Sequence, residues 1–325
     1  MKSKQKLTAL LLAGCLLLAG TGCNGEASSE ESESRLYPMR IDLTPKEDSS
    51  LSSDSSTSSD SSVQQESGSG GSSSTSIPQG GGGDTSSEPE APKTVRVTFP
   101  EGYSVAQIFN RLEEKGVCSA AELFATVNTY DFSYYPLVAQ IGTTGTGNRC
   151  FRLEGYLFPN TYEFYLNDKP ENVIGVLLRG AQSKITTARP GYTIDETLTV
   201  ASLIERETDD PAQMANVASV IYNRLESGMK LQIDATIVYV ERYIKPYISG
   251  DVNRYNADYN TYKCPGLPAG PICNPGSAAI NAAVNPAQTN YLYFVTGGGQ
   301  TLYASTYEEH QQNCQALGVE PSESL

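Results

Sequence analysis

The feature that most constrains the fold is the stretch 195–236, DETLTVASLIERETDDPAQMANVASVIYNRLESGMKLQIDAT. It predicts two helices around a short acidic joint, with a polar strand after them. Thr193 and Glu196 have the spacing of a capping box, in which each side chain satisfies a backbone N–H near the other. Asp210 followed by Pro211 starts the second helix, because Asp accepts a free N–H and Pro has none to lose. Met214, Val217, Ala218, Ile221 and Leu225 form its apolar face, and Gly228 ends it. On the first helix, stepping 100° per residue leaves a narrow polar face of Thr199, Ser202 and Arg206. Glu205 falls between Ala201 and Leu198, and Glu207 between Leu203 and Val200. Both glutamates lie on the apolar arc, on different sides of it. A carboxylate in such surroundings is costly unless neutralised, paired or used. Periodicity does not choose between the two.

Composition sharpens the question. The 325 residues contain a single histidine, His310. Ser-His-Asp, Cys-His and multi-histidine metal sites are thereby nearly excluded, so carboxylates must carry any hydrolytic-type chemistry. His310 and Cys314 have helical spacing, and the expected role of His310 is packing or hydrogen bonding in a C-terminal helix. No metal or cofactor is implied. The net charge of −14 makes nucleic acid an unsuitable partner, since phosphate binding needs clustered Lys and Arg. Much of that charge sits in residues 26–92, with 13 acids and 3 bases.

The N-terminus reads MKSKQK and then LTALLLAGCLLLAG, a basic n-region followed by an apolar run too short for a comfortable membrane span. Residues 1–23 are expected to be a signal peptide with a lipid anchor at Cys23. Cys15 is the alternative acceptor, and an uncleaved signal anchor the alternative mode. Either places the remainder on the extracytoplasmic face of the membrane. Residues 24–92 are rich in Ser, Gly and acids and predict a disordered tether, with too few apolar groups to offset chain entropy.

The folded part is expected to be α+β: a small α/β module at 93–150, then a mixed α+β domain at 151–325. Val95, Val97 and Phe99 alternate as a strand; Ser104 caps a helix, and a second helix spans 119–127. Ile141 begins a Gly/Thr-rich run, IGTTGTGN, that reads as a loop. Residues 152–165, RLEGYLFPNTYEFY, read as extended structure with a turn. Glu154 there has the look of a buried hydrogen-bonded brace. A helix is expected over 172–189, and a loop over 247–259.

Several of these segments together resemble one family. ASLIERET, then ASVIYNRLESGMKLQIDATIVY, are similar to the core signature of the endolytic murein transglycosylases (MltG, YceG-like). EGYLFPNTYEF, YNTYKCPGLPAGPICNPG, AAVNPAQTNYLYFV and the terminal EEH match the same family in the same order. The likeness covers 94–315. It implies that 93–150 is a LysM-like module that contacts glycans, and that 151–325 is the catalytic domain. It also implies cleavage of the MurNAc-β-1,4-GlcNAc bond of peptidoglycan with formation of 1,6-anhydroMurNAc ends. The biological role it implies is ending nascent strand elongation near the cell-wall synthases. The alternatives are a two-carboxylate muramidase and a non-catalytic glycan-binding scaffold.

The resemblance puts the catalytic role on the first acid of IERET, Glu205, and a supporting role on Glu207. Asp234 is the best candidate for a second carboxylate, with orientation of a turn or a sugar hydroxyl as its preferred role. Gln232, Thr236, Asn260, Thr261 and Tyr262 suit hydrogen bonding to hydroxyl and acetamido groups, with local backbone bracing as the plain alternative. Asn223, in the matching YNRL segment, and Glu154 complete the supporting set. Cys264 and Cys273 flank PGLPAGPI and are the disulfide candidates.

Overall fold

The structure, a computed structural model, describes residues 92–141 and 148–320. The expected signal segment with Cys15 and Cys23, nearly all of the tether, and most of the Gly/Thr run lie outside the described residues.

Strand β1 (Thr94–Thr98) is followed by α1 (Val105–Glu114), α2 (Ala120–Thr129) and the short α3 (Pro136–Ala139). Ser104 caps α1, and its capping box with Gln107 is complete. Strand β2 (Thr161–Tyr165) returns antiparallel to β1, pairing Val97 with Tyr162 and Val95 with Phe164. The strand–helix–helix run at 93–150 thus takes its second strand from beyond residue 150. The segment before β2 is a series of turns, in place of the extended run that its aromatics suggest.

Helices α4 (Pro170–Lys184), α5 (Ile194–Glu207) and α6 (Pro211–Glu226) follow. α4 stops five residues short of the expected end, at Ile185, whose φ of −97° and ψ of 90° leave the helical region. α5 and α6 form where the sequence predicts them. Thr193 and Glu196 make the capping box, with Thr193 N–H donating to Glu196 Oε2 at 2.8 Å. Asp210 Oδ1 accepts from Ala212 N–H at 2.9 Å. Leu198, Val200, Leu203 and Ile204 are at most 1% exposed, each contributing about 1.5–3 kcal/mol of burial. That apolar arc needs cover on several sides. α6 and α9 (Ser277–Val284) pack along α5, with α7 (Ala235–Tyr239) near it. Tyr222 O–H ties α6 to α9 through Ala283 O at 2.8 Å.

The polar strand expected at 232–236 is not a strand. Residues 231–233 are irregular, and α7 begins at Ala235, continuing as helical turns to Tyr247. Gln232 has φ +55°, which breaks an extended run. The region read as a loop at 247–259 contains α8 (Asn253–Tyr259), whose Tyr255 and Tyr259 point into the core. Strands β3 (Tyr293–Gly297) and β4 (Gln300–Ala304) form a hairpin. Its turn residues, Gly298 and Gly299, both have positive φ, as a tight hairpin of this twist requires. Helix α10 (Tyr307–Leu317), capped by Thr306, packs on this hairpin. The class is α+β: ten α-helices and two separate two-stranded antiparallel sheets among the described residues. One apolar cluster runs from Val97 through Phe109 and Phe124 to Leu203 and Ala283. Among the described residues no helix is long and apolar enough to cross a membrane.

Candidate active site

The last turn of α5 sends its two glutamates in different directions, as a 200° separation on a helix demands. Glu205, expected as the catalytic acid, accepts at its Oε2 a hydrogen bond from the N–H of Gly276 at 3.0 Å. Gly276 is the N-cap of α9, so this carboxylate sits at a helix N-terminus. Glu101 crowds the same spot, and a Cβ at Gly102 would lie 3.6 Å from the Glu205 stem. Burial raises the Glu205 pKa; the Gly276 bond opposes this, and the Glu101 charge adds to it.

Glu207 instead faces a cavity of about 200 Å³. Around it stand Arg224 from α6, Gln232 and Asp234 from the irregular segment, Tyr262, and His310 from α10. No donor among the described residues hydrogen-bonds the Glu207 carboxyl. Burial pushes its pKa up to about 7; the nearby Asp234 charge adds to the rise, and Arg206 opposes it. A carboxyl with its pKa raised to about 7, hydrogen-bonded by none of the described residues and open to a cavity, has the properties of a general acid–base.

The cavity wall is built by braces. Arg224 Nη1 donates to Leu231 O at 2.9 Å and Lys230 O at 3.2 Å, curling the segment around it. Gln232 N–H donates to Thr261 O at 3.2 Å, and Ile233 N–H to Thr261 Oγ1 at 2.8 Å. Thr236 Oγ1 donates to Ile233 O at 2.7 Å. Thr236 and Thr261 are 0% exposed, so they hold the wall and do not meet a ligand. Asn260 Oδ1 accepts from Tyr262 N–H at 2.9 Å, and Tyr262 O–H donates to Asp234 Oδ1 at 2.6 Å. That chain of bonds aims Asp234 and Tyr262 together. The positive φ of Gln232 is strain at the wall itself.

Two other expected site residues lie outside the cavity. Asn223 Nδ2 donates to Thr289 O at 3.0 Å and Tyr291 O at 2.9 Å, fastening α6 to the approach of β3. Glu154 is fully buried. Its carboxyl accepts from Val105 N–H at 3.0 Å, Tyr239 O–H at 3.0 Å and Asn274 Nδ2 at 3.1 Å. Burial pushes its pKa up to about 8 against those bonds. It is a brace joining α1, α7 and the loop before α9.

The expected disulfide is absent. Cys264 and Cys273 are both free thiols, as are Cys118, Cys150 and Cys314. The two sulfurs serve different carbonyls: Cys264 Sγ lies 2.9 Å from Asn260 O, and Cys273 Sγ lies 3.4 Å from Ser202 O of α5. Among the described residues no group of three or more His, Cys, Asp and Glu could hold a metal ion.

Sequence reasoning missed Arg224, His310 and Phe294 as cavity residues. His310 was expected to pack in a C-terminal helix. It does so, stacked on Tyr293 at 5.3 Å between centroids, and it also reaches the cavity. Only the terminal EEH segment hinted at it, and nothing in its spacing pointed to α5. Asn274 was missed too: fully buried, it accepts from Leu157 N–H at 2.8 Å and donates to Tyr103 O at 2.9 Å.

A model of the YceG-like family matches residues 84–316. A Bacillus subtilis (strain 168) protein named endolytic murein transglycosylase is 32% identical over 229 residues, 67% of this chain and 63% of that protein. A Streptococcus pneumoniae (strain D39) protein of the same name is 32% identical over 251 residues, 70% of this chain and 45% of that protein. The chain thus matches less than two thirds of the length of these curated relatives. The crystal structure of a YceG-like protein from Listeria monocytogenes superposes with a TM-score of 0.57 at 31% identity. That match covers 69% of this chain and 76% of the other.

Proposed function

The chain belongs to the YceG-like family, and from that footing we propose that it is an endolytic peptidoglycan lytic transglycosylase whose acid–base is Glu207. The observation that carries the reading is the unbonded Glu207 carboxyl, with its pKa near 7, facing a cavity lined by hydrogen-bonding side chains. Protonated Glu207 gives its proton to the glycosidic oxygen as the bond to the muramoyl anomeric carbon breaks. The resulting carboxylate takes the proton of the muramoyl 6-hydroxyl as that oxygen attacks the same carbon. The products are a free GlcNAc 4-hydroxyl and a 1,6-anhydroMurNAc end, with no water consumed. One carboxyl acting twice suffices, whereas ordinary glycosidases use two. In this reading the two acids exchange the roles that the resemblance implies, with Glu205 securing the N-terminus of α9 and Glu207 doing the chemistry.

The test is digestion of purified glycan strands by wild type, Glu205→Gln and Glu207→Gln, with products weighed by mass spectrometry. Anhydro ends from wild type and Glu205→Gln, and none from Glu207→Gln, are expected. Loss confined to Glu205→Gln returns the role to Glu205. Asp234 beside Glu207 supports a second reading, a two-carboxylate muramidase, which would leave reducing MurNAc ends. No strand cleavage by wild type or by either variant would point to a binding scaffold.

The finer parts of the proposal rest on sequence. Residues 93–150 act as a LysM-like glycan contact ahead of the catalytic domain at 151–325. Residues 1–23 export and anchor the chain through a lipid on Cys23, so that the enzyme works at the extracytoplasmic membrane face. There it ends nascent strands beside the synthases. A diacylglyceryl group on Cys23 at the mature N-terminus supports the anchor; modification at Cys15, or an intact Met1, rejects it.

A further inference from the structure

Arg224 lies in the last turn of α6 and lines the Glu207 cavity. Its guanidinium is held in one plane. Nε donates to Leu292 O at 2.6 Å, and Nη1 to Leu231 O at 2.9 Å and Lys230 O at 3.2 Å. The ring of Tyr293 lies 5.1 Å away, itself stacked on His310. These contacts use Nε and Nη1. Nη2 makes no hydrogen bond to the described residues, and they do not bury it either. No described carboxylate forms an ion pair with Arg224. Burial disfavours its charge. A largely desolvated cation with one amino group left over, fixed beside a proposed catalytic acid, is arranged for a ligand oxygen.

Resting on the transglycosylase reading, we propose that Arg224 Nη2 donates a hydrogen bond to an amide carbonyl oxygen of the bound glycan, fixing where the sugar sits relative to Glu207. The charge count favours a neutral acceptor. With Glu207 protonated for its acid role, the cavity holds Arg224 positive and Asp234 negative. A carboxylate would add a second anion beside Asp234; a carbonyl dipole adds none. Such a strand carries two carbonyls of this kind near the scissile bond. One is the 2-acetamido group, and the other is the amide that joins the lactyl ether to a stem peptide. Arg224 is a positioning residue in this scheme and does not take part in proton transfer. A lysine cannot replace it, because one ammonium cannot hold three backbone carbonyls and also reach a fourth oxygen.

The test crosses protein and substrate. Wild type and Arg224→Lys are assayed on intact strands, on chemically N-deacetylated strands, and on strands stripped of stem peptides by an amidase. On intact strands Arg224→Lys raises KM by about ten- to a hundredfold, the range for a lost hydrogen bond to a charged group, with kcat within about threefold. On the strand that lacks the bonded carbonyl, the kcat/KM ratio of wild type to variant falls to about one. The deacetylated strand reports the acetamido group, and the stripped strand the lactyl amide. An equal ratio on all three strands overturns the proposal, as does a fall in kcat with unchanged KM. Arg224 also braces the wall, so the wild-type protein supplies an independent arm: removing the carbonyl from the substrate costs it the same factor. Wild-type cleavage of intact strands tests the transglycosylase reading separately from this ratio. No cleavage of any strand would reject that reading and this inference with it.

Discussion

Replacing Glu207 with glutamine separates activity from stability in opposite directions. The amide keeps the shape of the side chain and removes the titrating proton. General acid–base catalysis is worth about 10²–10⁴ in rate, so a loss of that size is expected. The stability effect follows from linkage. The folded protein raises the Glu207 pKa from 4.5 to about 7, so it binds the proton more tightly than the unfolded chain does. The contribution to stability is complete below pH 4.5 and is lost as pH rises through about 7. A rise of this size corresponds to about 3 kcal/mol at most above pH 8, and partial exposure of the side chain reduces it to about 2 kcal/mol. Glutamine carries no charge to desolvate and escapes that cost. Thermal unfolding at pH 8.5 should therefore show Glu207→Gln melting roughly 4–8 °C above wild type, with the difference gone at pH 4.5. The assay pairs scanning calorimetry at the two pH values with strand digestion followed by product mass. Wild-type activity should also fall about tenfold per pH unit above 7, as the protonated acid is depleted. A variant that melts lower than wild type at pH 8.5, or that still forms anhydro ends at more than a tenth of the wild-type rate, refutes the reasoning.

Other outcomes follow from neighbouring residues. Asp234→Asn removes the charge that helps raise the Glu207 pKa, so the alkaline limb of the activity profile moves to lower pH while anhydro ends persist; an unmoved limb places Asp234 out of electrostatic reach. Glu154→Ala strips partners from Val105 N–H, Tyr239 O–H and Asn274 Nδ2 and costs about 3 kcal/mol in urea denaturation, with KM unchanged if it refolds. Gly155→Ala places a Cβ 2.5 Å from Pro271 at φ +88° and should lower the urea midpoint by more than Glu205→Gln does. Denatured without reductant, the chain should yield titratable thiols at Cys264 and Cys273, and reductant should leave the melting temperature unchanged.

Much of the frame was legible because it is local. The caps at Thr193 and Asp210, Pro211 at the start of α6, and the apolar rows of α5 and α6 depend on spacings of three and four residues, and such spacings are visible in a sequence. The 232–236 segment misled because its alternation imitates a strand. Its path is set from elsewhere in the chain: Thr261 accepts from the N–H groups of Gln232 and Ile233, and Arg224 holds the carbonyls of Lys230 and Leu231 just before it.

The site divides the same way. The sequence by itself established that two glutamates occupy the apolar arc of one helix and that a single histidine leaves the chemistry to carboxylates. It also established the order of motifs that marks the family. Which glutamate meets the cavity was decided only by tertiary structure. Glu205 and Glu207 differ by 200° around α5, and their fates depend on what packs against each side: the N-terminus of α9 on one, and the wall formed by Arg224, Asp234, Tyr262 and His310 on the other. The farthest of those partners, His310, comes from 103 residues beyond Glu207. A helical period records that a face is covered, and carries no information about which element covers it.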